Sequence, residues 1–486
     1  MIGISNSTRD NSTQLLTKYP KPIQKVLVIG LGAAGILALR NLKKINKNNQ
    51  ISIKCFELTS RLGGIWNLDT LEKGNDYSDI SGSNFVTPMY PSLTTNMPGK
   101  LMTINDLPEL ESDEVYPEHR FILRYLNKIV KGDNLDQFVS YNTKVNEVEY
   151  LIDEKCWLVK SLNLKTNETM EEKFDCVVDC SSFNNLDHIP NWEGLQKFKE
   201  KYPDRLIHSR YYRGAEEFEG KTIIVVGKGP SAMNIVQELS YTNCDLIQSS
   251  NPIPIYKRGD IFLPYAPNNP SNLPTFVAPI KSFEIDSNTS ETVNDCIVLE
   301  DGTKLSIPDI LISATGYEFK FITLPETSQN PLQPSTGSII ADKHTLKNLV
   351  LRTIYQHNPS YMTIGAITIS SLIPLWDYQA HYVASTISMV NYFHSTCDSA
   401  PLLELVDEDW ILNAKGSKDE LITSRAIIFE RFSFPTELSV RINRSHAALP
   451  LRYKAEFPLA MVDPPSNEWI QQAVTYSLGL PPYNRD

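Results

Sequence analysis

The feature that most constrains this chain is a strand, a glycine-rich turn and a helix, written twice. The first copy opens with the apolar run Val26-Leu27-Val28-Ile29, passes into Gly30-Leu31-Gly32-Ala33-Ala34-Gly35, and continues as a helix from Ile36 to Lys44. The second runs from a strand, Thr222–Val226, through Gly227-Lys228-Gly229-Pro230-Ser231-Ala232 into a helix from Met233. A buried strand that meets GxGxxG or GxGxxA and then a helix is the opening of a βαβ unit for a dinucleotide. The first glycine permits the tight turn, and the second lets the backbone approach a pyrophosphate. The third position, glycine or alanine, keeps helix and strand in close contact. The helix N-terminus then presents N–H groups and a partial positive charge to the phosphates. A single such turn is a weak signal, whereas two in one chain predict an α/β protein that holds two dinucleotides.

The copies differ at the end of their second strand. In the first, Ile51–Phe56 delivers Glu57, where a carboxylate can accept the hydroxyls of an adenosine ribose. In the second, Leu246–Gln248 is followed by Ser249 and Ser250 and later by Lys257 and Arg258, with no acid at the place of Glu57. An acid there would repel a 2′-phosphate, whereas hydroxyl and guanidinium groups can bind one. The second unit is therefore expected to take NADPH. A solvated surface pair is the plain alternative for Lys257 and Arg258.

Directly beyond the acid lies Arg61-Leu62-Gly63-Gly64-Ile65-Trp66. In order and spacing, GxGxxG, the acid and this GGxW segment resemble the flavin-containing monooxygenases, in which the three together bind FAD and GGxW lies along the cofactor. Further pieces of the resemblance follow along the chain. Met89–Pro98 is similar to the family's segment around a flavin-site asparagine, which places Asn96, with Thr95 before it, beside the isoalloxazine. An amide there could donate to an oxygen species and accept from a cofactor amide; an Asx-turn before Pro98 is the alternative. Ile310–Tyr317 ends in Ala314-Thr315-Gly316-Tyr317 and resembles the family's ATGY segment, read here as the return of the chain to the first domain. Tyr361–Ala366 and Trp376-Asp377-Tyr378-Gln379-Ala380 resemble the last cofactor-facing pieces, Gln379-Ala380 starting a helix.

In two places the chain departs from the pattern. Cys180-Ser181-Ser182-Phe183 stands where many relatives have a glycine-containing turn. Of the identifying motif FxGxxxH with Tyr or Phe four residues later, His208, Ser209 and Tyr212 match, while Tyr202 and Asp204 occupy the Phe and Gly positions. A lone histidine of this kind is expected to be a hydrogen-bonded structural residue.

The resemblance runs from about Lys25 to Ser385 and is to the soluble, fungal type of the family, which oxygenates dimethylaniline or thiols. It implies two Rossmann-like dinucleotide-binding domains of the glutathione-reductase-like type, one for FAD and one for NADPH, with an antiparallel meander over Phe138–Ser182. The implied organisation is a polar tail (1–24), a first part of the FAD domain (25–185), the NADPH domain (186–305), and the rest of the FAD domain with a C-terminal cover (306–486). The FAD contacts would fall to Gly30, Gly32, Ala33, Ala34, Gly35, Glu57, Arg61, Gly64, Ile65, Trp66, Thr95, Asn96, Thr315, Gly316 and Gln379. Those to NADPH would fall to Gly227, Gly229, Pro230, Ser231, Ala232, Ser249, Lys257 and Arg258. Asn96 is the catalytic candidate. The implied reaction is reduction of FAD by NADPH, addition of O2 at flavin C4a, and transfer of one oxygen from the hydroperoxide to a thiol or amine. Baeyer–Villiger or N-hydroxylating chemistry is the alternative within the superfamily. A disulfide reductase would need a CxxC pair, and the chain has none; a non-enzymatic escort protein would not need the second glycine turn.

Composition bounds the remaining possibilities. A chain of 486 residues, 41% hydrophobic and 21% charged, is expected to form two or three ordinary globular domains. The formal net charge of −11 argues against nucleic acid or an anionic membrane surface as the main partner. Seven scattered cysteines suit a reducing compartment, Cys176 and Cys180 reading as buried thiols. The sequons at Asn6 and Asn11 follow no apolar signal segment, so the cytoplasm is expected, with room for a homodimer and for peripheral association at the cytosolic face of the endoplasmic reticulum. Asn358–Trp376, the longest uncharged run, is read as core or site lining rather than a membrane span. No metal-ligand cluster stands out, and 402–486 carries no assigned chemistry.

Overall fold

The computed structural model describes residues 21–68, 86–95, 99–104, 107, 110–112, 114, 116–181, 186–251, 274–286, 294–318, 340–342, 345–346, 349–350, 353–355, 358–365 and 373–396. The architecture is α/β. Its first sheet has seven strands, in the order Leu349–Val350, Ile354–Tyr355, Tyr361–Thr363, Cys176–Asp179, Lys25–Ile29, Ser52–Phe56 and Val139–Ser140. Lys25–Ile29 lies parallel between Ser52–Phe56 and Cys176–Asp179.

Its side chains alternate between two buried layers, as the period of a strand requires. Val26 and Val28 pack with the helices Ala33–Ile45 and Ile373–Thr396 on one face. Leu27 and Ile29 pack with Phe56, Trp157, Phe174 and Tyr361 on the other. All four are 5% exposed or less, and burial of each is worth about 1.5–3 kcal/mol. This core is what fixes the first glycine turn in space.

The meander is a three-stranded antiparallel sheet of Thr143–Leu151, Cys156–Asn163 and Glu168–Phe174. Phe174 closes the meander, Asp175 turns the chain by accepting the backbone N–H groups of Gln24 and Lys25 at 2.9 Å each, and Cys176–Asp179 enters the large sheet. Cys176 and Cys180 are buried thiols, their pKa values pushed up by burial. The helix His119–Gly132 precedes the meander in the chain.

A second sheet has five strands, all parallel: Thr275–Val277, Asp245–Ser249, Thr222–Val226, Ile310–Ser313 and Leu206–His208. Its helix, Pro230–Leu239, begins three residues before the expected Met233, because Gly229 caps it in an extended conformation and Pro230 brings a φ already set for a first helical residue. Ile310–Ser313 does not return the chain to the first sheet. It pairs with Thr222–Val226, Val225 facing Ile312, so the expected boundary at 305/306 is too early. An apolar run encodes that it will be a buried strand, not which strand it will join. The return comes with Tyr361–Thr363, parallel to Cys176–Asp179. The closing helix also begins before Gln379, at Ile373, with Pro374 tolerated in its first turn.

Candidate cofactor and active site

The first glycine turn is held by contacts that leave no room for side chains. Gly30 has φ +90°, and a Cβ there would lie 3.0 Å from the carbonyl oxygen of Cys180. A Cβ on Gly35 would come within 1.9 Å of the Gly30 oxygen, and one on Gly64 within 2.9 Å of Gly32 Cα. GxGxxG and GGxW are thus two faces of one backbone cradle. The helix Ala33–Ile45 starts at its edge, and no side chain caps it at Gly32. An uncapped N-terminus with glycines in front of it is a ready anion site.

Glu57, 6% exposed, stands at the end of the neighbouring strand. Its Oε2 accepts the Leu31 N–H at 2.6 Å; Oε1 accepts the Thr59 N–H at 2.8 Å and the Thr59 hydroxyl at 2.7 Å. Burial pushes its pKa up, and these hydrogen bonds pull it back. A carboxylate offers about four acceptor positions, so one remains open beside the turn. Arg61 is exposed, and its backbone closes a turn with the Thr59 hydroxyl. The Ile65 carbonyl accepts from the Thr87 hydroxyl, and Trp66 is buried with no acceptor for its Nε1 among the described residues. Thr95 is buried and donates its N–H to the Pro117 carbonyl at 2.9 Å, whereas Asn96 lies outside the described residues.

The last strand of the first sheet delivers Gly365, φ +88°, to the same place. A Cβ on it would be 3.6 Å from both Ala34 Cβ and Trp376 Nε1. Gln379, expected to face a cofactor, has both ends of its amide engaged by protein: Oε1 accepts the Gly365 N–H and Nε2 donates to the Thr353 hydroxyl, each at 3.0 Å. It positions Gly365. Sequence reasoning had reached the segments holding Gly365 and Trp376 without singling out either residue, because their convergence on Ala34 is purely tertiary.

The second turn repeats the first in detail. Gly227 has φ +125°, and a Cβ on it would lie 2.4 Å from the Ala314 carbonyl oxygen, as one on Gly30 would meet Cys180. The helix from Pro230 has no side-chain cap, with Ser231 and Ala232 in its first turn. Thr315 and Gly316, expected beside FAD, therefore belong to the second unit. The Thr315 hydroxyl bonds to Ser313 Oγ at 2.7 Å and to the His188 carbonyl, and the Gly316 carbonyl accepts the His188 N–H at 3.0 Å. Ser249 is also displaced from its expected role. It is fully buried and donates its hydroxyl to the Ala278 carbonyl at 2.9 Å, because the end of its strand is covered by the chain after Thr275–Val277. Lys257 and Arg258 lie outside the described residues.

Between the two sheets runs the segment after Leu206–His208. His208 is buried, with Nε2 3.0 Å from the Gly316 carbonyl and Nδ1 accepting the Arg210 N–H at 3.2 Å. Both contacts are met by the Nε2–H tautomer, with Asp187 Oδ1 a further 3.4 Å from Nδ1, and burial holds the pKa of the ring below its ordinary value. Arg210 donates to Asp187 Oδ1 at 2.6 Å and to the Val86 carbonyl at 2.8 Å, while Arg213 donates to the Thr87 carbonyl at 2.9 Å. Tyr212 stacks on Phe218 and meets Tyr90 edge-on at 5.0 Å. The two arginines escaped the sequence reading, since the carbonyls they hold are distant in the chain.

Comparison with known proteins agrees with this geometry. The flavin-binding monooxygenase-like family model matches residues 23–253. A flavin-containing monooxygenase of Amanita muscaria is 26% identical over 439 residues, 76% of this chain and 79% of that protein. Senecionine N-oxygenase of Tyria jacobaeae is 26% identical over 360 residues, 74% of this chain and 70% of that one. Over residues 23–253 the chain carries the flavin-binding monooxygenase-like domain. At the level of fold, the chain matches the solved S-allyl-L-cysteine S-oxygenase of Allium sativum with a TM-score of 0.64 at 19% identity, covering 94% of this chain and 98% of that one. It is a flavin-dependent monooxygenase whose cofactors are FAD and NADPH and whose substrates are O2 and a small molecule. Among its described residues no helix is long and apolar enough to cross a membrane.

Proposed function

We propose that this flavin-dependent monooxygenase oxygenates a soft nucleophile, an amine or a thiol, with FAD held by the first glycine turn and NADPH by the second. The observation that carries the division of labour is the contrast at the strand ends. Glu57 offers a buried carboxylate with one open acceptor position beside the first turn, and no acid follows Ser249 at the second. The residues present fit FAD: Gly30, Gly32, Gly35 and Gly64 form a cradle that a single Cβ would fill, and the helix from Ala33 is uncapped. Ala33 and Ala34 would meet the pyrophosphate and Glu57 one ribose hydroxyl, with Ile65 and Trp66 along the cofactor and Thr95 at its far end. Gly227, Gly229, Pro230, Ser231 and Ala232 would hold the NADPH pyrophosphate, and Lys257 and Arg258 its 2′-phosphate.

The FAD unit in this reading comprises 25–185 and the strands and helix within 340–396; the NADPH unit extends from 186 past Ser313. When bound, FAD supplies the electron storage and oxygen activation that no side chain can. The protein binds, orients and excludes water, for which a site between two packed units is suited. Asn96 is proposed as the fixed donor near the reacting atoms. The N-oxygenase among the relatives supports the amine side of the substrate class.

The test is NADPH consumption under air with amines, thiols and ketones, peroxide being measured in parallel. Oxygenated amine or thiol in proportion to NADPH is expected. Turnover of ketones would move the enzyme to Baeyer–Villiger chemistry, and peroxide alone would make it an oxidase.

A further inference from the structure

Trp376 stands in the first turn of the Ile373–Thr396 helix and is 8% exposed, packed in the cluster that contains Ala33, Ala34 and Trp66. Its Nε1–H has no acceptor among the described residues. Indole N–H can only donate, and a buried donor left unmet is costly. A buried aromatic ring without the N–H would carry no such cost, so the N–H asks for an acceptor.

Where the donor lies narrows what the acceptor is. The position that a Cβ on Gly365 would occupy is 3.6 Å from Trp376 Nε1 and 3.6 Å from Ala34 Cβ. Gly365 has no side chain and is fixed by Gln379, whose Oε1 takes its N–H at 3.0 Å. The indole edge therefore faces a spot bounded by the uncapped N-terminus of the Ala33–Ile45 helix and by a glycine strand end. Trp66, two residues after the Gly64 that packs on Gly32, adds a second buried indole N–H without an acceptor among the described residues. Two such donors in the one cluster that contains the first glycine turn are an arrangement for an oxygen-rich ligand, not for a dry core.

Resting on the reading of the first turn as the FAD site, we propose that Trp376 is a further FAD-binding residue. Its Nε1–H donates to an acceptor oxygen of the cofactor's diphosphate or ribityl stretch where that passes Ala34. Gln379 acts through Gly365 as a positioning residue for the same contact.

The experiment is titration of apoprotein with FAD, followed by quenching of flavin fluorescence, for the wild type and Trp376→Phe, together with thermal unfolding of both apoproteins. Expected is a roughly tenfold rise in the FAD Kd, the effect of about one neutral hydrogen bond, with an apoprotein that still unfolds cooperatively, the smaller ring lowering its Tm by a few degrees at most. A parallel titration with ADP tells the two oxygens apart: a matching loss for ADP assigns the diphosphate, and a loss confined to FAD assigns the ribityl stretch. An unchanged FAD Kd in a folded Trp376→Phe protein overturns the proposal and leaves the flavoprotein reading intact. Failure of the wild type to bind FAD overturns that reading itself. Should the variant not fold, 15N-indole spectra of the wild type, with the Trp66 resonance assigned by Trp66→Phe, decide: FAD must shift and protect the Trp376 indole resonance, and an unchanged Trp376 resonance refutes its role.

Discussion

Gly35 and Ala232 occupy the same place in the two glycine turns, yet they are not interchangeable. A Cβ on Gly35 would overlap the Gly30 oxygen at 1.9 Å, whereas the Ala232 Cβ sits an ordinary 3.7 Å from where one on Gly227 would be. Gly35→Ala is therefore expected to abolish stable FAD retention and to lower the Tm of the protein by several degrees, checked by flavin content after gel filtration and by thermal melting. Ala232→Gly should change the Tm by only a degree or two. At Glu57 the charge-assisted bond to ribose is worth about 1.5–3 kcal/mol, so Glu57→Gln should weaken FAD binding by about ten- to a hundredfold. Full flavin occupancy in the diluted variant would remove Glu57 from the site. These residues were legible in the sequence because their work is local: a turn, a helix start and a strand end lie within one βαβ unit. Ser249 was not, since what claims its hydroxyl is the Ala278 carbonyl, contributed by a different strand connection.

For elements, what could be read was existence and type, and what could not was partnership. Lys25–Ile29, Thr222–Val226 and Ile310–Ser313 all announce themselves as short buried strands, but only hydrogen bonding decides that the third lies beside the second. The consequence is that Ala314-Thr315-Gly316 serves the second turn as Cys180-Ser181 serves the first. Gly227→Ala would drive a Cβ to 2.4 Å from the Ala314 oxygen and displace the backbone around the second turn. The variant should purify yellow and lose NADPH-dependent flavin reduction by at least tenfold in stopped-flow absorbance. Equal loss of FAD would show that the two turns are not separate in function.

The whole molecule depends on a buried junction whose titration can be followed. His208 is neutral in the fold, burial holding its pKa below the ordinary 6.5, and His119 is shifted the same way by burial. The unfolded chain takes up a proton at each below about 6.5 while the folded chain resists it. Their contribution is complete above that pH and is lost as pH falls toward the depressed folded values. Glu57, raised by burial, works in the opposite direction, so a single variant is the cleaner probe. The drop in Tm between about pH 7.5 and 5.5 should be smaller in His208→Gln than in the wild type, and identical drops would place the histidine outside the pH response. Finally, Tyr361–Thr363, which completes the first sheet beside Cys176–Asp179, is made only after every strand of the second sheet has been synthesised. At about 5–20 residues per second on the ribosome, the nascent chain waits tens of seconds between making Gly30 and making Gly365. The later nucleotide unit can thus assemble before the earlier one closes, and a cradle that includes Gly365 cannot be complete until then.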